Sequence, residues 1–121
     1  MVIAQPIISG SLGQLTTSDA VYYTQPGSTA NANSNRTIIQ TLTLTNTSAS
    51  PVDVWVYVIP FGSSPGNAFL LGGSPITVAV GQSLNVVEAE RKVLTAGGTI
   101  QARASADTAV SIMASGTEIT A

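Results

Sequence analysis

Residues 36–60 read RTIIQTLTLTNTSASPVDVWVYVIP, and the spacing of their apolar side chains decides the fold class. From Arg36 to Thr45, Ile38, Leu42 and Leu44 share one parity while Thr37, Thr41, Thr43 and Thr45 take the other. That two-residue period is the mark of a half-buried strand. Asn46 to Pro51 turns the chain. Residues 52–59 then place Val52, Val54, Val56 and Val58 on one face and Asp53, Trp55, Tyr57 and Ile59 on the other. A strand apolar on both faces is expected to be central in its sheet, or covered at one end by a partner.

Outward from this stretch the same signals repeat. Ala20 to Thr24 is a short aromatic strand, closed by the turn signal Gln25-Pro26-Gly27-Ser28, in which Pro presets one dihedral and Gly supplies a positive φ. Ser28 to Asn35 is a polar loop. Beyond the central pair, Pro60 to Pro75 is rich in Gly, Ser and Pro around Phe69-Leu70-Leu71, a long loop with one apolar anchor. Strands resume at Ile76 to Val80 and Leu84 to Val87, separated by Gly81-Gln82, which reads as a tight hairpin. The cluster Glu88 to Lys92 is long enough for one helical turn. After Gly97-Gly98, Ile100, Ala102 and Ala104 point inward and Gln101 and Arg103 outward; Val110, Ile112 and Ala114 repeat the pattern, and Thr117 to Thr120 is a last extended piece. About eight short strands with no helix beyond a turn predict an all-β fold, a β-sandwich for which jelly-roll connections are one option.

The first residues differ. Val2-Ile3, Ile7-Ile8, Leu12 and Leu15 are interrupted by Pro6, Gly10 and Gly13, a pattern too broken for a long strand. Residues 1–19 are therefore read as an extended N-terminal arm, and residues 20–121 as the sandwich domain. An extended segment can bind by adding backbone hydrogen bonds to a strand edge while alternate side chains fill pockets. Ile3, Ile7, Ile8, Leu12 and Leu15 are the candidate contacts with a neighbouring subunit. Trp55, Tyr57 and Phe61 form the densest aromatic group, for which core packing is the favoured reading. The alternative is an interface anchor, since Trp and Tyr are enriched at binding hot spots, and on that alternative Trp55, Tyr57 and Phe69 are the candidate contacts.

Composition narrows the function. Of 121 residues only 8% are charged, against about 25% in ordinary soluble domains, and Ser and Thr cover the deficit. A surface so poor in charge suits repeated protein contacts. A net charge of −2 leaves no basic stripe for phosphates, so nucleic acid is not an expected partner. The start Met-Val-Ile-Ala-Gln-Pro has no basic region followed by a long apolar run, so neither a signal peptide nor membrane insertion is expected. Without Cys there is no disulfide or thiolate metal site, and without His the commonest general base is missing. Six carboxylates remain, at Asp19, Asp53, Glu88, Glu90, Asp107 and Glu118. Most lie near turns or termini and none makes a calcium-loop pattern, so no catalytic residue, metal or cofactor is expected. The sequons at Asn35 and Asn46 read as turn residues.

Several runs together resemble small structural proteins of tailed-bacteriophage virions. They are Tyr22-Tyr23-Thr24 with Pro26-Gly27, Leu42 to Ser48, Val54 with Val56-Tyr57-Val58-Ile59-Pro60, Val93-Leu94 through Gly97-Gly98 to Ala102, and Ala114-Ser115-Gly116 with Glu118-Ile119. The resemblance implies a non-enzymatic β-sandwich carried on an assembled particle. Its leading role would be a capsid decoration, or cement, protein on the capsid surface, made in the host cytoplasm and bridging copies of the major capsid protein or other virion proteins. A tail, neck or head-fibre component and a carbohydrate- or receptor-binding module are the alternatives. A homo-oligomer, dimer or trimer, is expected from the low charge and from the two apolar faces of residues 52–59.

Overall fold

A computed structural model describes residues 3–8, 14–26 and 35–120. Its strands are β1 (Ile3–Ile8), β2 (Ala20–Thr24), β3 (Arg36–Asn46), β4 (Val52–Ile59), β5 (Ile76–Val78), β6 (Ser83–Asn85), β7 (Val93–Thr95), β8 (Thr99–Ala104) and β9 (Val110–Thr120). The only helical pieces among the described residues are single 3₁₀ turns at Asn67–Phe69, Leu71–Gly73 and Val87–Ala89. None is long and apolar enough to cross a membrane.

The pairings are nested. β1 pairs with β9, β2 with β8, β3 with both β6 and β7, and β4 with β5, all antiparallel. The chain therefore runs as one long hairpin whose tip is the 60–75 loop. Two further antiparallel pairings, β3 with β9 and β4 with β8, roll that hairpin up. The result is sheet A, in the order β1-β9-β3-β6 with β7 also on β3, and sheet B, in the order β2-β8-β4-β5. This is the jelly-roll form of a β-sandwich, in which each strand of one half of the hairpin lies beside its counterpart.

The two inner faces meet in one core. Leu15, Ile39, Leu42, Leu44, Val54, Val56, Ile100 and Ile112 are all essentially inaccessible. One polar tie crosses the sandwich beside them. The Tyr23 hydroxyl of β2 donates to Glu118 of β9 and lies 2.7 Å from the hydroxyl of Thr37 on β3, so both sheets share a satisfied buried network.

Four expectations change. The parity read for β3 holds only beyond Thr41, because the register shifts between Ile39 and Thr41. Gln40 is the extra residue of a β-bulge, which reverses the faces on its N-terminal side. Thr37 and Ile39 go inward, and Ile38 sits on the outer face. Second, Gly81-Gln82 does make a tight turn, with Gly81 at φ +70 and the Gln82 N–H donating to the Ala79 carbonyl at 3.0 Å. It does not make a hairpin, since β5 belongs to sheet B and β6 to sheet A. The turn is a corner between sheets, held by buried Asn46, whose Nδ2 donates to the carbonyls of Val78 and Ser50.

Third, the N-terminal segment is not a free arm. Ile3–Ile8 form a six-residue ladder with Ser115–Thr120 of their own domain, Gln14 bridges Ser111, and Leu15 is a fully buried core residue. Pro6 broke the pattern in the sequence, yet an edge strand is where a missing backbone N–H is tolerated. Finally, the second apolar face of β4 needs no partner. Tyr57 and Ile59 are buried by the chain itself, and Leu70 bridges Tyr57 along the sheet edge.

Candidate interaction surfaces

The residues proposed as contacts fall in four different places. Ile3, Ile7 and Ile8 lie on edge strand β1, opposite Thr120, Gly116 and Ser115. Leu12 lies outside the described residues. Leu15 and Tyr57 are interior, which removes both from any surface role. Trp55 and Phe69 are partly buried, on different elements.

Trp55 stands on the outer face of sheet B, where β4 meets β8. Its cross-strand neighbour Arg103 places the guanidinium carbon 4.0 Å from the ring centroid, a stacked cation–π geometry. The same guanidinium makes an ion pair with Asp19 at 3.5 Å. Asp53, on this face as well, accepts from the Thr77 hydroxyl at 2.7 Å. The indole face is thus covered by a charged group already in use.

Phe69 belongs to the hairpin tip. The 3₁₀ turns after Gly66 bring Val58, Phe69, Leu71, Glu88 and Lys92 around an open hollow of about 280 Å³. Phe61, in the same loop, and Val87, next to Glu88 in the sequence, are each 66% exposed. Glu88 and Lys92 set two charges of opposite sign in the lining of the hollow.

The outer face of sheet A was not singled out by sequence reasoning. Residues in register share a face, so the ladders define its rows: Val93, Ile38 and Thr117; Thr41 and Ser115; Asn85, Thr43 and Met113; Ser83, Thr45 and Ser111. Met113 is 54% and Val93 52% exposed. Thr43, Thr45, Ser111, Ile112 and Met113 line a shallow hollow of about 220 Å³. Thr41 and Ser115 share a short hydrogen bond, and Thr45 and Ser83 one of 3.0 Å. A signal for this face was present in the sequence: with Val110, Ile112 and Ala114 inward, Met113 must point out.

Five of the six carboxylates have structural partners. Besides Asp19, Asp53 and Glu118, Asp107 accepts from the Thr17 N–H at 2.8 Å and Glu90 from Asn85 Nδ2 at 2.8 Å. Among the described residues no three His, Cys, Asp or Glu side chains gather as metal ligands. The sequon residue Asn46 is buried, with its Oδ1 accepting from the Ser48 N–H and hydroxyl. Comparison with protein-family models, with curated proteins and with solved structures gives no match.

Proposed function

We propose that this chain is a non-enzymatic structural protein of a tailed-bacteriophage virion, and specifically a capsid decoration protein that attaches through its hairpin tip to the major capsid protein. The observation that carries the reading is Phe61, 66% exposed in the same tip loop that builds the Phe69 hollow, with Val87, the sequence neighbour of the lining residue Glu88, equally exposed. Such groups are costly to leave in water, and burial recovers on the order of 1.5–3 kcal/mol per large side chain before ordering costs. One tip binds weakly. Many tips on a shell, or several on one assembly, bind far more tightly by effective concentration.

The resemblance of the strand and turn runs to virion structural proteins supports the same reading, as does a surface carrying few charges. A glycan-binding role through Trp55 is less well supported, because Arg103 occupies the ring face that a sugar would need. The test is attachment. Phe61→Asp and Phe69→Asp, each checked for an unchanged circular dichroism spectrum, are expected to lose co-sedimentation with capsids from which the native protein has been stripped. Full occupancy by both variants would refute docking at the tip.

A further inference from the structure

The outer face of sheet A has three properties that together specify an occupant. It is poor in charge: in the rows from Val93–Ile38–Thr117 to Ser83–Thr45–Ser111 no residue is charged, Arg36 stands at the far end of β3, and the Glu90 carboxylate, bonded to Asn85 Nδ2 at 2.8 Å, lies at the β6 margin. It is open at several described positions: Met113 and Val93 are more than half exposed, and Thr41, Asn85 and Ser115 are exposed as well. It is also extended. β3 and β9 are 11 residues each, β1 is six, and β6 and β7 are three each; at ~3.3 Å per residue and ~4.8 Å per strand they cover roughly 540 Å². That is about two-thirds of the ~800 Å² that each partner loses in a stable complex, the size of a modest interface.

We propose that this face joins two copies of the chain, back to back about a two-fold axis. At such an axis a surface meets itself, and each residue near the axis faces its own copy. A charged face would set like charge against like and resist pairing. A face of Ser, Thr and Asn around Met113, with Glu90 and Arg36 only at its margins, carries little of that penalty, and its hydroxyls can exchange partners across the contact. Met113 is suited to the centre because its flexible thioether fills irregular gaps. Met113 of each copy fills the hollow lined by Thr43, Thr45 and Ser111 of the other. Sheet B's outer face fits this role poorly, since Asp19, Asp53 and Arg103 are on or beside it. The dimer leaves the hairpin tips free, and it stands whether or not the chain belongs to a virion.

The experiment is sedimentation equilibrium on the full chain across the micromolar range, with four variants. The wild type is expected to be dimeric. Met113→Glu and Thr41→Arg, both at exposed positions and each checked by circular dichroism, should weaken dimerisation at least about tenfold, because each puts like charges face to face. Thr77→Lys and Trp55→Ala, on sheet B, should leave the dimer intact. A wild type that is monomeric at ~100 µM, where even a weak standard-sized interface is occupied, would overturn the proposal. So would a folded Met113→Glu or Thr41→Arg variant that dimerises as tightly as wild type, or loss of the dimer on the sheet B substitutions alone. Should one sheet A variant fail to fold, the other decides.

Discussion

An ideal Cβ built on Gly116 would stand 2.1 Å from the Ile38 carbonyl oxygen and 3.1 Å from the Gln40 nitrogen. The Gln40 bulge brings β3 against β9 at this point, and only the absence of a side chain permits it. Gly116→Ala is therefore expected to cost about 2–4 kcal/mol, in the range of substitutions that force backbone apart, as read by urea denaturation; a cost under about 0.5 kcal/mol would mean the two strands are not so close. The second residue of consequence is Tyr23. Burial, with the hydrogen bond to Glu118 next in weight, holds its pKa far above the ordinary value for tyrosine. Its folded pKa is raised, so the stability it contributes is intact below pH about 10 and is lost as pH rises toward the folded value. Tyr23→Phe should cost about 1–3 kcal/mol at neutral pH by stranding Glu118 and Thr37, and should flatten the fall in melting temperature above pH about 10. Equal alkaline slopes for the two proteins would contradict the buried network.

Strand pairing shows how far local pattern reaches. The inward sets of β8 and β9 follow from parity alone, because Ile100, Ala102 and Ala104, then Val110, Ile112 and Ala114, alternate without interruption. The two faces of β3 do not follow, since a bulge of one residue leaves no mark in the composition around Gln40. The Gly81 turn was legible, but whether it joins partners or crosses between sheets depends on residues far away, here on Asn46. Strand β1 was hidden by Pro6. Its ladder closes the β9 side of sheet A, so deletion of residues 1–8 should lower the melting temperature by about 10 °C or more and favour aggregation through the exposed β9 edge. A truncated chain with an unchanged melting temperature would restore the free-arm reading.

For the whole molecule, the nested pairings make a long hairpin rolled into two sheets, with three surfaces of different character. One is charged and already satisfied, around Trp55, Arg103 and Asp19. One, the outer face of sheet A, is poor in charge, and one is the hairpin tip with exposed Phe61. The fold class was legible because an all-β chain with short strands and little charge has few alternatives. The surfaces were not, because exposure depends on which strands are neighbours: Leu15 looks like an arm contact in sequence and is interior, Tyr57 packs in the interior as the favoured reading of its aromatic group has it, and Met113 looks incidental and is exposed. If both proposals hold, the pairing of two copies through sheet A would leave two tips free, the arrangement a protein needs to bridge neighbouring subunits on a shell. The proposal that this chain coats a capsid is tested by quantitative mass spectrometry of purified particles. The expected copy number scales with the major capsid protein in a ratio set by the symmetry of the shell; absence from the particles, or only the few copies of a tail ring, would contradict it.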